Sequence, residues 1–291
     1  VVDERTLLAS IGPLVGADTI ANDCAIVSLD DTYLVATTDM LHEETDFPPE
    51  MTDWQRGWMA VASSLSDIAA MGARPILILL AVGLDRPDRL KPLMEGAIAC
   101  CREHGTILGG GDIDFHQELT LVSTGLGTAE GDHLVRRTGA QVSDAICVTG
   151  ILGRAQAALE GHHEYERSLF EPRPRTKEGE VIGRSRATSM MDISDGLALS
   201  LHDLARVNQV GYEIHADQLP LIPELPAEKA QDLALFGGGD YELLFTIPPE
   251  ALPLPGLDTY RIGEVIADRH VLLDGNPLPS RGYQHHWKGK G

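Results

Sequence analysis

Residues 76–84 read ILILLAVGL, a nearly continuous apolar run. It reads as a central strand, and it is far too short to span a bilayer. Upstream, Thr52 with Gln55 three residues on makes a capping-box signature. Trp54, Trp58, Val61, Leu65 and Ile68 then follow at helical spacing until Gly72 and Pro75 end the run. A second helix is predicted downstream from about Arg89 to His104, closed by Gly105. Helix, buried strand and helix in succession commit this region to helices layered on a sheet.

The neighbouring stretches extend the pattern. TYLVATTD (32–39) is rich in β-branched and aromatic residues and ends on an aspartate, and TILGGGD and LTLVSTGLGTA are further strands, the glycines of the first relaxing its end. Near Arg136 the character changes. RRTGAQVSD reads as a junction, after which AICVTGILGRAQAALEG begins again as strand, glycine turn and helix. Its G-x-x-G is either a tight turn or a phosphate site. Glu164 to Lys177 reads as a surface connection or a short helix with loops, followed by a helix from about Asp195 to Val207 with Leu197, Leu201 and Leu204 on one face, then the turn FGGGD and the strand YELLFTI. With 291 residues, the expectation is two α/β domains, 1–135 and 136–291.

Composition narrows the function classes. Hydrophobic content of 43% is globular, and 44 acidic against 23 basic side chains, with no basic patch, exclude a nucleic-acid or anionic-membrane role. A salt-adapted source fits the acidic excess as well as ordinary acidity does. The four cysteines, Cys24, Cys100, Cys101 and Cys147, lack C-x-x-C spacing and read as buried thiols. No basic segment followed by an apolar one opens the sequence, so a cytoplasmic protein without a signal peptide is expected.

Six aspartates stand beside glycine or small polar residues at element ends: Asp23, Asp39, Asp67, Asp112, Asp192 and Asp195. Singly, each reads as a cap or turn residue. Asp67 sits near the negative pole of its helix and needs compensation, from Arg74 or from a divalent cation. In TSMMDISDGL, Ser194 is placed to cap a helix whose first turn holds Asp195. Asp192 then adds a second carboxylate, which a shared hard cation such as Mg2+ would neutralise while also binding phosphate. The runs Gly109–Gly111 and Gly237–Gly239 would let backbone amides approach a ligand. Arg136 and Arg137 are candidates for a phosphate fork or for an interdomain salt bridge. P-loop, Rossmann and G-x-S-x-G signatures are absent, and the pairs His162/His163 and His285/His286 read as surface residues.

Taken together and in order, NDCA, ATTDM, LSDIAAMGARP, GGGD, RRTGA, MDISDGL and GGGDYELLF resemble the thiamine-monophosphate kinase family of the aminoimidazole ribonucleotide synthetase-like superfamily. The resemblance implies a two-domain α/β (α+β) fold, with an N-terminal sheet forming a barrel-like homodimer interface and a C-terminal α/β domain. It implies direct, Mg2+-assisted phosphoryl transfer from ATP to thiamine monophosphate, giving thiamine diphosphate. By motif, Asp23, Thr37, Thr38, Asp39, Asp67, Asp112, Asp192 and Asp195 would ligate several Mg2+ ions, with Asp112 and Asp195 in the catalytic roles. Gly111, Asp112, Arg137 and Ser194 would contact ATP; Asp46, Gly239 and Tyr283 would face the acceptor. Three positions depart from the family pattern: Asn22 replaces an acid, Asp46 a histidine and Gly239 a glutamate. They keep open a kinase of the same superfamily with another small alcohol or phosphate acceptor, beside a non-catalytic Mg-nucleotide-binding protein. Selenophosphate synthase fits less well, since the first 20 residues hold neither cysteine nor lysine, and the cyclo-ligase that names the superfamily fits less well than the kinase.

Overall fold

The computed structural model describes residues 2–287. In the first half the elements are β1 (Val2–Asp3), α1 (Glu4–Val15), β2 (Ala25–Leu29), β3 (Thr32–His42), α2 (Glu43–Asp46) and α3 (Asp53–Ala70). They continue with β4 (Arg74–Leu84), α4 (Leu90–Glu103), β5 (Leu108–Phe115) and β6 (Thr120–Glu130). The second half holds β7 (Ala145–Thr149), α5 (Arg154–Leu159), α6 (Glu166–Phe170), α7 (Thr176–Gly183), β8 (Ser189–Ile193), α8 (Leu197–Asn208) and β9 (Gly211–Ile214). It ends with α9 (Ala227–Phe236), β10 (Glu242–Ile247), β11 (Thr259–Ile266), β12 (Val271–Leu273), β13 (Asn276–Pro277) and β14 (His286–Trp287).

The first half forms an open five-stranded sheet, β2-β3-β6-β4-β5, and the second a seven-stranded sheet, β13-β12-β9-β11-β7-β10-β8. Within the first sheet only β4 and β5 run parallel. Ile78, Leu80, Val82 and Leu84 of the apolar run point into a core against α3, with Leu65 and Ile68. The Thr52–Gln55 capping box forms as its sequence predicts, and Gly72 turns the chain after α3 with φ +68°. A separate core fills the second sheet, and a third joins the halves, packing Ala69 and Ala70 of α3 against Val135, Cys147, Met190 and Phe245. Val2 and Asp3 pair with Trp287 and His286 in the small β1–β14 ladder. All four cysteines are buried and free, and no helix among the described residues is long and apolar enough to cross a membrane.

Some details differ from expectation. The glycines of GGGD lie inside β5 rather than loosening its end. A Cβ on Gly111 would stand 1.8 Å from the Leu80 carbonyl oxygen, so close strand pairing by itself requires a glycine here. In the 164–177 stretch the short helix with loops is what forms, as α6, and it is not superficial: Trp58 on α3 donates its indole N–H to the Pro172 carbonyl at 2.8 Å, and Thr176 is buried.

Candidate active site

Four carboxylates gather where the two halves meet. β8 carries Asp192 at its end, α3 presents Asp67 from its last turn, β3 delivers Asp39 on the face turned to α3, and Asp23 precedes β2. One oxygen from each of Asp23, Asp67 and Asp192 lies within 4.8 Å of the other two. Ser66 Oγ donates to Asp192 at 2.7 Å, Thr37 Oγ1 to Asp67 at 2.5 Å, and Ser64 Oγ to Asp39 at 2.6 Å. Arg74 makes no ion pair with Asp67 among the described residues; Thr37 is the partner.

Burial dominates the electrostatics. It pushes the Asp67 carboxyl well above the usual range, and the charges of Asp39, Asp192 and Asp23 push further. Asp192 is raised to about 7 by burial and then by Asp23, and Asp39 is raised by burial. One guanidinium answers this charge directly: Arg137 donates Nε–H to Asp23 at 3.0 Å, a fork completed by Nη2. Of the two readings of this arginine, the structure therefore contains the salt bridge between the halves. Its backbone is held as well, since Asn22 Oδ1 accepts the Arg137 N–H at 3.1 Å and Asn208 donates to its carbonyl. Arg136 instead stacks its guanidinium over Tyr33. Several buried carboxylates with one cation among them make a donor set that suits a hard divalent ion.

The other expected residues are placed differently. Asp195 lies outside the group of three; its Oδ2 accepts from Arg5 at 3.2 Å, an arginine that also forks onto Asp203. Ser194 is not a helix cap. α8 starts only at Leu197, because Gly196, with φ +104°, turns the chain first. The Ser194 carbonyl accepts the Gly239 N–H at 2.7 Å. Gly239 itself has φ +88°, so this backbone disfavours a glutamate or any other side chain there. Asp240 is occupied structurally: its carboxylate accepts the Ala155 N–H at 3.1 Å and the Gly153 N–H, and so closes the N-terminus of α5. The G-x-x-G is accordingly a tight turn.

Thr38 and Asp112 fall on the opposite face of the first sheet from the cluster. Asp112 pairs with Ala81 and Ala81 with Val122, level with Met40, whereas Asp39 and Ser123 point to α3. A one-residue step along a strand reverses the face.

Asp46 and Tyr283 do come together. The Asp46 carboxylate, 8% exposed, accepts the His42 N–H at 2.7 Å, and His285 Nε2 lies 3.7 Å away. His285 meets the Tyr283 ring edge-on, so it is not a free surface residue. The Tyr283 N–H bonds the Asp195 carbonyl at 3.0 Å, which links this end to the carboxylates.

Sequence reasoning missed Arg5, Glu242 and Tyr241. Arg5 is 190 residues from Asp195, and no local pattern signals such a pairing. Glu242 is buried and takes hydrogen bonds at 2.6 Å from Thr149 and from Arg175 Nε. Tyr241 stands in the left-handed region, φ +52°, under the combined charges of Asp39, Asp192, Asp67 and Asp195. Its place between a glycine run and a strand was the available signal. A cleft of about 400 Å³ lined by Arg74, Glu130, His133 and Arg184 lies at the Thr32 end of β3, and no carboxylate of the cluster lines it.

Residues 21–129 match the family described as AIR synthase related protein, N-terminal domain. A thiamine-monophosphate kinase of Methanospirillum hungatei is 50% identical over 98% of this chain and 100% of its own length. One of Halobacterium salinarum is 39% identical over the same shares, 98% and 100%. The solved structure of AaThiL complexed with AMPPCP and TMP superposes with a TM-score of 0.91 at 30% identity, covering 98% of this chain and 97% of that one. Identity of one residue in two along nearly the whole sequence, on a matching fold, means that the chain belongs to the thiamine-monophosphate kinase family.

Proposed function

We propose that this protein transfers the terminal phosphoryl group of ATP to the phosphate of thiamine monophosphate. An oxygen of the acceptor phosphate forms the new P–O bond, the bond to the β-phosphate breaks, and ADP and thiamine diphosphate leave. The observation that carries this reading is the convergence of Asp23, Asp67 and Asp192, one oxygen from each within 4.8 Å, in a chain of this family. Asp23, Asp67 and Asp192, flanked by Asp39 and Asp195, would hold Mg2+, which when bound offsets the charge of the phosphates. The chain's own work is positioning. Ser66, Thr37 and Ser64 fix the carboxylate orientations, and Asn22 and Asn208 fix the backbone of Arg137 beside Asp23. Asp46, Tyr283 and His285 form the acceptor end, joined to Asp195 through the Tyr283 N–H.

We infer a homodimer, built on the sheet face that carries Asp112. Met40 there is 59% exposed, and Leu34, Leu77, Leu79, Val122 and Leu126 of the same face keep part of their surface open. A second copy covering this face would bring Asp112 and Thr38, with the adjoining backbone of Gly111, to its own cleft, where the carry-over by motif needs them. The domain division at 1–135 and 136–291 and a cytoplasmic setting belong to the same reading.

The test is product analysis with Mg-ATP and thiamine monophosphate beside a panel of other phosphorylated alcohols. ADP and thiamine diphosphate are expected. ADP with another acceptor only would assign a different kinase, a reading that Asp46 and Gly239 make specific, and nucleotide binding without ADP would leave a binding protein.

A further inference from the structure

Two segments from opposite ends of the described chain meet on Asp195. From one side, Arg5 in the first turn of α1 donates Nη2–H to Asp195 Oδ2 at 3.2 Å. From the other, the Tyr283 N–H bonds the Asp195 carbonyl at 3.0 Å. The segments are also joined to each other, because β1, shortly before Arg5, pairs with β14, shortly after Tyr283. Asp195 Oδ1 accepts no hydrogen bond from any described residue.

The arginine does not depend on Asp195 for its own place. Its Nε–H is shared between the two carboxylate oxygens of Asp203, at 3.2 and 3.0 Å, and its Nη2 donates to Asp203 Oδ2 at 2.8 Å. Asp203 is 8% exposed and sits on α8, where Arg206 also donates to it at 3.3 Å. A fork onto one carboxylate fixes the plane of a guanidinium. The shorter contacts fall on Asp203, so Asp203 sets the arginine and the arginine sets Asp195. A positive charge beside Oδ2 then repels a metal ion from that oxygen, and the free Oδ1 is the one left to bind it.

We propose that Arg5 is a positioning residue: anchored on Asp203, it occupies Asp195 Oδ2 and leaves Oδ1 alone for the divalent cation that offsets the phosphates. Metal-binding carboxylates are commonly oriented by a hydrogen-bonded partner of this kind. The proposal rests on the kinase reading above, in which Asp195 flanks the metal-binding group.

Mn2+ binding to the full-length protein, followed by titration calorimetry in the presence of a non-hydrolysable ATP analogue, tests this without turnover. Arg5→Gln should weaken binding about 10- to 100-fold. In an Asp195→Ala background the same substitution should change it by less than about twofold, because the group through which Arg5 acts is gone. Asp203→Asn keeps the arginine but loosens its anchor, so it should weaken binding in the same direction. Unchanged binding in Arg5→Gln or in Asp203→Asn overturns the proposal. So does a loss of equal size with and without Asp195, the result expected if Arg5 only docks α1. A wild-type protein that binds Mn2+ and nucleotide yet forms no thiamine diphosphate overturns the kinase reading instead, and one that binds no Mn2+ overturns both.

Discussion

Ser66 on α3 donates a 2.7 Å hydrogen bond to Asp192, 126 residues further along the chain, and so fastens the first half of the molecule to the carboxylate that ends β8. The bond does more than join two sheets. It orients one carboxylate oxygen beside those of Asp23 and Asp67, at a spacing that mutual repulsion opposes unless a cation is shared.

Asp192→Asn removes one charge from that group while leaving an amide oxygen for Ser66. Without divalent metal the variant should melt at a higher temperature than wild type, since buried like charges are relieved. Its Mg2+-dependent turnover should fall about 100-fold or more. Thermal unfolding with a chelator, beside a coupled ADP assay, checks both; a variant with wild-type turnover contradicts the assignment.

Arg137→Ala leaves the fully covered Asp23 side chain without its guanidinium. Breaking a buried pair from one side costs about 3 kcal/mol. Mg2+ should recover part of the loss by replacing the missing positive charge, so the destabilisation in urea should be smaller with metal than with chelator.

Asp240 gives a pH signature separate from the metal-binding group. Burial pushes its carboxyl up to about 7 against the opposing pull of the Gly153 and Ala155 N–H groups. Between about pH 4, where an unfolded aspartate ionises, and about 7, the folded chain retains a proton that the unfolded chain has released. Stability therefore declines as pH rises through this window and levels off above it. Asp240→Asn should remove its share of the decline, seen as a flatter dependence of the variant's unfolding free energy on pH from about 4 to 7 than that of wild type.

Met40→Asp places a charge in the apolar face on which a second copy is proposed to sit. Sedimentation should show monomers, and turnover should drop with dimer content because Asp112 lies on that same face. A monomeric variant with full activity contradicts the shared site.

How much of this was legible in the sequence follows from the range of each interaction. The α3 cap, the interior β4 strand and the stop at Gly72 depend on neighbours a few residues away, and they formed as read. Asp23, Asp67 and Asp192 were singled out because each sits at an element end, and these three converge. The start of α8 was misplaced: Ser194 has the chemistry of a cap, but the turn at Gly196 sets the helix later. Strand packing demands a glycine at Gly111 of β5, a requirement that local sequence did not reveal. Asp112 was grouped with the other acids because its motif matches, and only strand register shows that it faces away. Arg5, Glu242 and Tyr241 act through contacts across the fold that leave no periodic trace.

The central claim is that Asp23, Asp67 and Asp192 jointly hold divalent metal around the phosphates of a bound nucleotide. Anomalous diffraction from crystals grown with Mn2+ and a non-hydrolysable ATP analogue tests it most directly. The account predicts a metal peak bonded to oxygens of all three carboxylates and to phosphate. Nucleotide bound with no metal among those carboxylates would contradict it.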